Sequence, residues 1–221
     1  MSIRRLFATL FAIALFTMAV RETLDPDMWW HLKTGQYVWE QGIPREDPFS
    51  FTRLGVPWVA HEWLSDAIMW GVYQAAGLVG LSLFFAAIIA LTFWLLYQRC
   101  AGKPYLAAFV ILLAAVSSAP TWGARPQMLN TLFLAIFVNI MEGYRAGQVG
   151  RKGLYALPLL TLMWANLHSG YLLGVVVLGG YVVGEGVQVA ISRQPTLRGA
   201  DATAVSNEQL TVNSKQLTVN S

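Results

Sequence analysis

Six stretches of almost unbroken apolar residues dominate this chain, at 6–20, 79–97, 105–119, 128–141, 154–165 and 171–190. A helix that crosses the ~30 Å hydrocarbon core needs about 20 residues of this kind, with every backbone polar group paired inside the segment. Several of the six are shorter than that and draw on flanking residues such as Ile3. Apolar residues in runs, rather than in a stripe at helical spacing, call for apolar surroundings on all sides. A chain of 221 residues that is 56% hydrophobic and 12% charged cannot cover a water-soluble surface. The expected fold class is all-α: a polytopic membrane bundle of about six transmembrane helices over residues 1–192.

Basic residues orient such a bundle. Arg4 and Arg5 precede the first stretch, Arg99 and Lys103 lie between the second and third, Arg145, Arg151 and Lys152 lie between the fourth and fifth, and Arg193 and Arg198 follow the sixth. These are alternate loops, so they share one side, the cytoplasm. The net charge of +3 therefore reads as topology and not as a nucleic-acid surface. The residues before Arg21, Thr17-Met18-Ala19-Val20, make a poor signal-peptidase site, so the first stretch is expected to stay as an uncleaved span. A single cysteine, Cys100, excludes an intrachain disulfide.

The opposite face collects nearly every ionisable group that is not a simple topogenic charge, in a first outer loop over 21–78 and two shorter loops. The block Asp25-Pro26-Asp27-Met28-Trp29-Trp30-His31-Leu32 opens with an N-cap and a proline suited to the first helical position. It predicts a helix from there to about Gln41, stopped by Gly42-Ile43-Pro44, with aromatic residues suited to the headgroup layer. Asp27 and His31, four apart, share a face of it. A second amphipathic helix is expected from Glu62 towards Gly77, with Asp66 one turn after Glu62. His61-Glu62 resembles the start of a zinc-protease helix, but Ser65 stands where that motif needs a second histidine. Arg125-Pro126-Gln127 and Trp164-Ala165-Asn166-Leu167-His168-Ser169-Gly170 complete the face, which thus holds all three histidines, His31, His61 and His168. Ionisable groups kept beside hydrocarbon are costly, and their gathering on one side points to use.

The pattern DPD-x-WWHL-x-TG, DPFSFT, PW-x-x-HEWL, ARPQ and WANLHSG resembles that of a group of bacterial multi-pass proteins within the broad GT-C glycosyltransferase class. The resemblance covers about residues 1–190. It implies a cytoplasmic-membrane enzyme that moves a sugar from a polyprenyl-phosphate carrier to an extracytoplasmic acceptor, with a catalytic acid in the first outer loop, the place held here by Asp27 and Asp25. An acceptor hydroxyl needs a carboxylate base within hydrogen-bond reach. The leaving phosphate needs cationic or divalent-metal stabilisation. His31, His61, Glu62, Arg125, Asn166 and His168 are the expected substrate-binding residues. Asp27 is favoured over Asp25, whose capping role already accounts for it, with Glu62 and Asp66 next in line.

From 193 onward the chain is polar and carries Gln209-Leu210-Thr211-Val212-Asn213-Ser214 twice, separated by Lys215. A disordered repeat tail is expected here, and with it a truncated member of the class, since such enzymes usually have more spans. The alternative reading is a non-catalytic membrane protein, either a degenerate fragment or an assembly or transport subunit. The near absence of charged residues at mid-span counts against transport.

Overall fold

A computed structural model of the protein describes residues 2–21, 25–100 and 102–192. The expected repeat tail over 193–221 lies outside the described residues. Those described are helical, without a strand, and one isolated antiparallel bridge joins Glu46 to Pro57. The helices are α1 (Ile3–Ala19), α2 (Pro26–Gln41), α3 (Trp63–Arg99), α4 (Pro104–Ser118), α5 (Met128–Arg145), α6 (Ala156–Leu167) and α7 (Tyr171–Ser192). Short 3-10 turns, Ala119–Thr121 and Arg151–Tyr155, follow α4 and precede α6.

Three helices are long and apolar enough to cross a membrane: α3, α4 together with its 3-10 turn, and α7. The others lying in expected spans, α1, α5 and α6, have 17, 18 and 12 residues. At 1.5 Å per residue α6 rises only about 18 Å. The 37 residues of α3 would rise roughly 55 Å, well beyond a ~30 Å core. The helix is broken at Gly77, whose φ of 62° and ψ of −155° lie in a region essentially closed to residues with a side chain. The break separates a first part over 63–76 from the apolar run that follows.

The chain divides into two compact units, Met1–Gly174 and Val175–Ser221. The described part of the second is the remainder of α7, to Ser192. In the first, α3 is the axle: α1, α2, α4, α5 and α6 all pack on it. Its buried residues Leu81, Phe85, Ala86, Ile89 and Phe93 form one cluster with Phe11 and Leu15 of α1, Met28 and Leu32 of α2, and Ile111 and Ala115 of α4. Trp164 of α6 is fully buried, stacked on Phe133 and edge-on to Phe137 of α5.

The closest helix approach is between α2 and the first part of α3. A Cβ on Gly35 would strike the backbone carbonyl of Asp66 and the Cβ of Trp70. Only glycine lets the two backbones meet there, and their meeting brings His31, one turn earlier on α2, against Asp66. The loop after α2 is self-supporting. Asp47 Oδ1 accepts the backbone N–H groups of Phe49 and Ser50 at 2.9 and 3.0 Å, and Phe49 packs among Trp30, Tyr37 and Trp58. The side-chain hydrogen bond from Ser50, then those two backbone bonds, hold the Asp47 carboxyl below its ordinary range. The DPFSFT block thus builds a turn and its aromatic anchor.

Candidate functional site

Segments distant in sequence meet at one end of the first unit. Arg21 Nη1 donates to Ala119 O at 3.0 Å, with its guanidinium 5.6 Å from the Trp122 ring centroid. Trp63 Nε1 donates to Asn166 Oδ1 at 3.0 Å, and the buried Ser65 hydroxyl donates to Leu167 O. These ties bring the end of α1 to the turn after α4, and the start of α3 to the α6–α7 junction. Two groups of ionisable side chains result.

The first is built on the N-terminus of α2. Asp25 Oδ1 caps the helix by accepting the Asp27 N–H at 3.0 Å, and Pro26 takes the first helical position. Its other oxygen pairs with Arg125 Nε, 100 positions away. Arg125 Nη1 also reaches Asp27 Oδ2 at 3.3 Å. The Asp25 side chain is 12% exposed and that of Asp27 61% exposed. The two candidate acids are thus distinct: one is committed to a cap and an ion pair, and the other is open, beside a guanidinium.

The second group surrounds Glu62. His31 Nδ1 lies 2.8 Å from Asp66 Oδ1 and 3.7 Å from Glu62 Oε2. His168 Nε2 lies 3.1 Å from Glu62 Oε1, and the more exposed His61 Nε2 lies 3.4 Å from the same oxygen. The tautomer of His168 follows from its partners. Trp164 Nε1 donates to Asn130 Oδ1 at 2.7 Å, which turns the Asn130 amide nitrogen onto His168 Nδ1 at 3.0 Å. The Gly170 N–H donates to that same Nδ1 at 2.9 Å. An Nδ1 that accepts twice carries no proton, so the proton of the ring sits on Nε2, the nitrogen 3.1 Å from Glu62 Oε1. Burial lowers the pKa of His168 below its ordinary value, opposed by the neighbouring Glu62 carboxylate and assisted by His61 and His31. The neutral imidazole and the hydrogen-bond pattern agree.

Of the expected residues, Asp25, Asp27 and Arg125 come together, and His31, His61, Glu62 and His168 come together. His31 does not orient Asp27 as their shared helix face suggested, because its ring turns to Asp66. Asn166 hydrogen-bonds elsewhere: its Oδ1 accepts from Trp63 and its Nδ2 donates to Leu162 O at 2.8 Å. Its work is to join α6 to α3. Sequence reasoning missed Asn130 and Trp164, the two residues that set the His168 ring. An amide side chain in the first turn of the largely apolar α5 is the signal that could have drawn attention to the first. Asp66, placed behind Asp27 in the sequence reading, is here a central member, 5% exposed.

Chemically, the first group offers an accessible carboxylate next to a fixed cation. The second offers two enclosed carboxylates and imidazole nitrogens at ligand-like spacing. No protein-family model matches the chain, and no curated protein and no solved structure matches it.

Proposed function

We propose that the protein is a GT-C-like membrane glycosyltransferase, or the N-terminal part of one, that transfers a sugar from a polyprenyl-phosphate-linked donor to an extracytoplasmic acceptor. In this reading α1, the second part of α3, α4, α5, α6 and α7 are the six spans, in a bacterial cytoplasmic membrane. The N-terminus is cytoplasmic, and the end bearing both ionisable groups faces outward. α2 and the first part of α3 lie in the headgroup layer, where Trp29, Trp30 and Trp39 are exposed.

The observation that carries the reading is the division of work between Asp25 and Asp27. Asp25 absorbs the structural duties of capping and pairing, so Asp27 is left exposed in the first turn of a helix that begins just beyond α1. An exposed carboxylate in a helix's first turn suits a base towards an acceptor hydroxyl. Arg125, held in place by Asp25, is the cation for the leaving phosphate. A polyprenyl carrier would enter from the bilayer beside these surface helices.

The test is sugar transfer from polyprenyl-phosphate donors by the chain reconstituted in liposomes, with an intact longer relative assayed beside it. Asp27→Asn is expected to abolish turnover while expression and donor binding persist. Turnover at the wild-type rate in Asp27→Asn overturns the assignment. A wild-type chain that folds, binds no donor and transfers nothing, beside a relative that behaves the same way, supports the non-catalytic alternative.

A further inference from the structure

We propose that His31, Glu62 and Asp66 bind a divalent transition-metal ion of the Zn²⁺ or Mn²⁺ kind through His31 Nδ1, Glu62 Oε2 and Asp66 Oδ1. One ligand atom from each residue can be chosen so that all three lie within 4.8 Å of one another. Metal–ligand bonds of about 2.0–2.2 Å set neighbouring ligand atoms about 3.0 Å apart at right angles and about 3.4 Å apart in a tetrahedron. The 2.8 and 3.7 Å separations from His31 Nδ1 bracket those values. Measured from His31 Nδ1, closing on an ion asks each carboxylate oxygen to move by tenths of an ångström.

Charge supports the same conclusion. The Glu62 and Asp66 side chains are 17% and 5% exposed, and two carboxylates this close in a poorly solvated place repel each other. Among the described residues no Lys or Arg forms an ion pair with either one. A divalent cation offsets both carboxylates at once.

A supporting shell is already built. Ligating carboxylates are themselves hydrogen-bonded in working metal sites, and those partners fix the ligand's orientation. The other oxygen of Glu62 lies 3.1 Å from His168 Nε2, and His168 is in turn fixed by Asn130 and Gly170. The close approach at Gly35 holds the His31-bearing helix in position. One imidazole with two carboxylates suits Zn²⁺ or Mn²⁺ better than Ca²⁺, which takes oxygen ligands, or Cu⁺, which takes sulfur. Three protein ligands leave a coordination position open to water or to a substrate oxygen, the pattern of catalytic rather than structural sites. Binding displaces the proton that joins His31 to Asp66.

The inference does not rest on sugar transfer, and its test does not use it. The full chain, purified in detergent, is stripped with chelator and titrated with Zn²⁺, Mn²⁺ and Co²⁺ separately, reading bound metal after gel filtration, melting temperature and, for Co²⁺, visible absorption. Stoichiometric retention of Zn²⁺ or Mn²⁺, a metal-dependent rise in melting temperature and a d–d band with Co²⁺ are expected. Glu62→Gln and Asp66→Asn should each lose retained metal at least tenfold, while His61→Ala keeps it. Asn130→Leu should weaken binding 10–100-fold without altering the Co²⁺ spectrum, as loss of an orienting partner does. The proposal is overturned if the wild-type chain, helical and monodisperse, retains no more of any of the three metals than the Glu62→Gln/Asp66→Asn double variant. Equal retention in His61→Ala and Asp66→Asn would move any bound metal elsewhere and overturn it as well.

Discussion

Arg125 faces two carboxylates on the first turn of α2, and substitutions there separate their roles. Its pair with Asp25 is neither exposed nor fully enclosed, with side-chain exposures of 31% and 12%. Breaking exposed pairs costs about 0.2–1 kcal/mol and removing one partner of a buried pair about 3–5 kcal/mol. Arg125→Met should therefore destabilise the chain by roughly 1–3 kcal/mol, read as a lowered melting temperature in detergent. Asp25→Asn keeps a competent cap and loses the charge, so it should resemble Arg125→Met in stability. Asp25→Ala loses the cap too, at a further ~0.5–2 kcal/mol. Asp27→Asn should leave stability within about 1 kcal/mol, the size of a first-turn dipole interaction. A melting curve for Asp27→Asn as depressed as that of Asp25→Ala would show that Asp27 is structural. Their relative exposure was not readable from the residues. Their order was, because the N-cap position of Asp25 is set by Pro26 beside it.

At the scale of elements, two glycines decide how α2 and α3 are arranged. Gly77 holds a backbone conformation that costs a residue with a Cβ about 1–3 kcal/mol. Gly77→Ala should lower the melting temperature accordingly, or straighten α3. In the second case a cysteine-accessibility scan across Trp70–Leu83 should lose its discontinuity at the break. Gly35→Ala meets backbone rather than a yielding side chain at Asp66. The cost expected is that of overpacking, about 1–3 kcal/mol, together with weaker metal retention as α2 lifts His31 away from Asp66. Helix limits were legible in the sequence: the cap and proline at 25–26 and Gly42-Ile43-Pro44 bound α2 where expected, and Gly77 breaks α3. What Gly35 does was not legible. A glycine in a helix interior reads only as a weak helix former until the opposing backbone is known.

For the whole molecule, the contacts from Arg21 to Ala119, Asp25 to Arg125 and Trp63 to Asn166 gather three inter-helix regions at one end. With α1, α4 and α6 running up to that end, the proposed topology has a direct check. Reporter fusions at Lys103 and Gln148 are expected to read cytoplasmic, and one near Arg53 to read extracytoplasmic. A cytoplasmic signal at Arg53 would place both ionisable groups on the wrong side of the membrane for a polyprenyl-linked acceptor reaction. It would leave the metal proposal untouched.

Local chemistry alone determined the helical class, the apolar segments and the caps, because apolar length, proline position and glycine stops act within a few residues. Counting the expected spans also placed the three histidines and the acidic residues of the first outer loop on one expected face. Tertiary structure alone decided which of those groups touch. His31 shares a helix with Asp27 yet turns to Asp66, 35 positions on, because α2 packs on α3 across Gly35. Glu62 is held by a histidine whose ring is set by an asparagine on α5 and a tryptophan on α6. Such contacts depend on the angle and depth at which helices pack, and side chains far apart in sequence carry no periodic signal of that geometry.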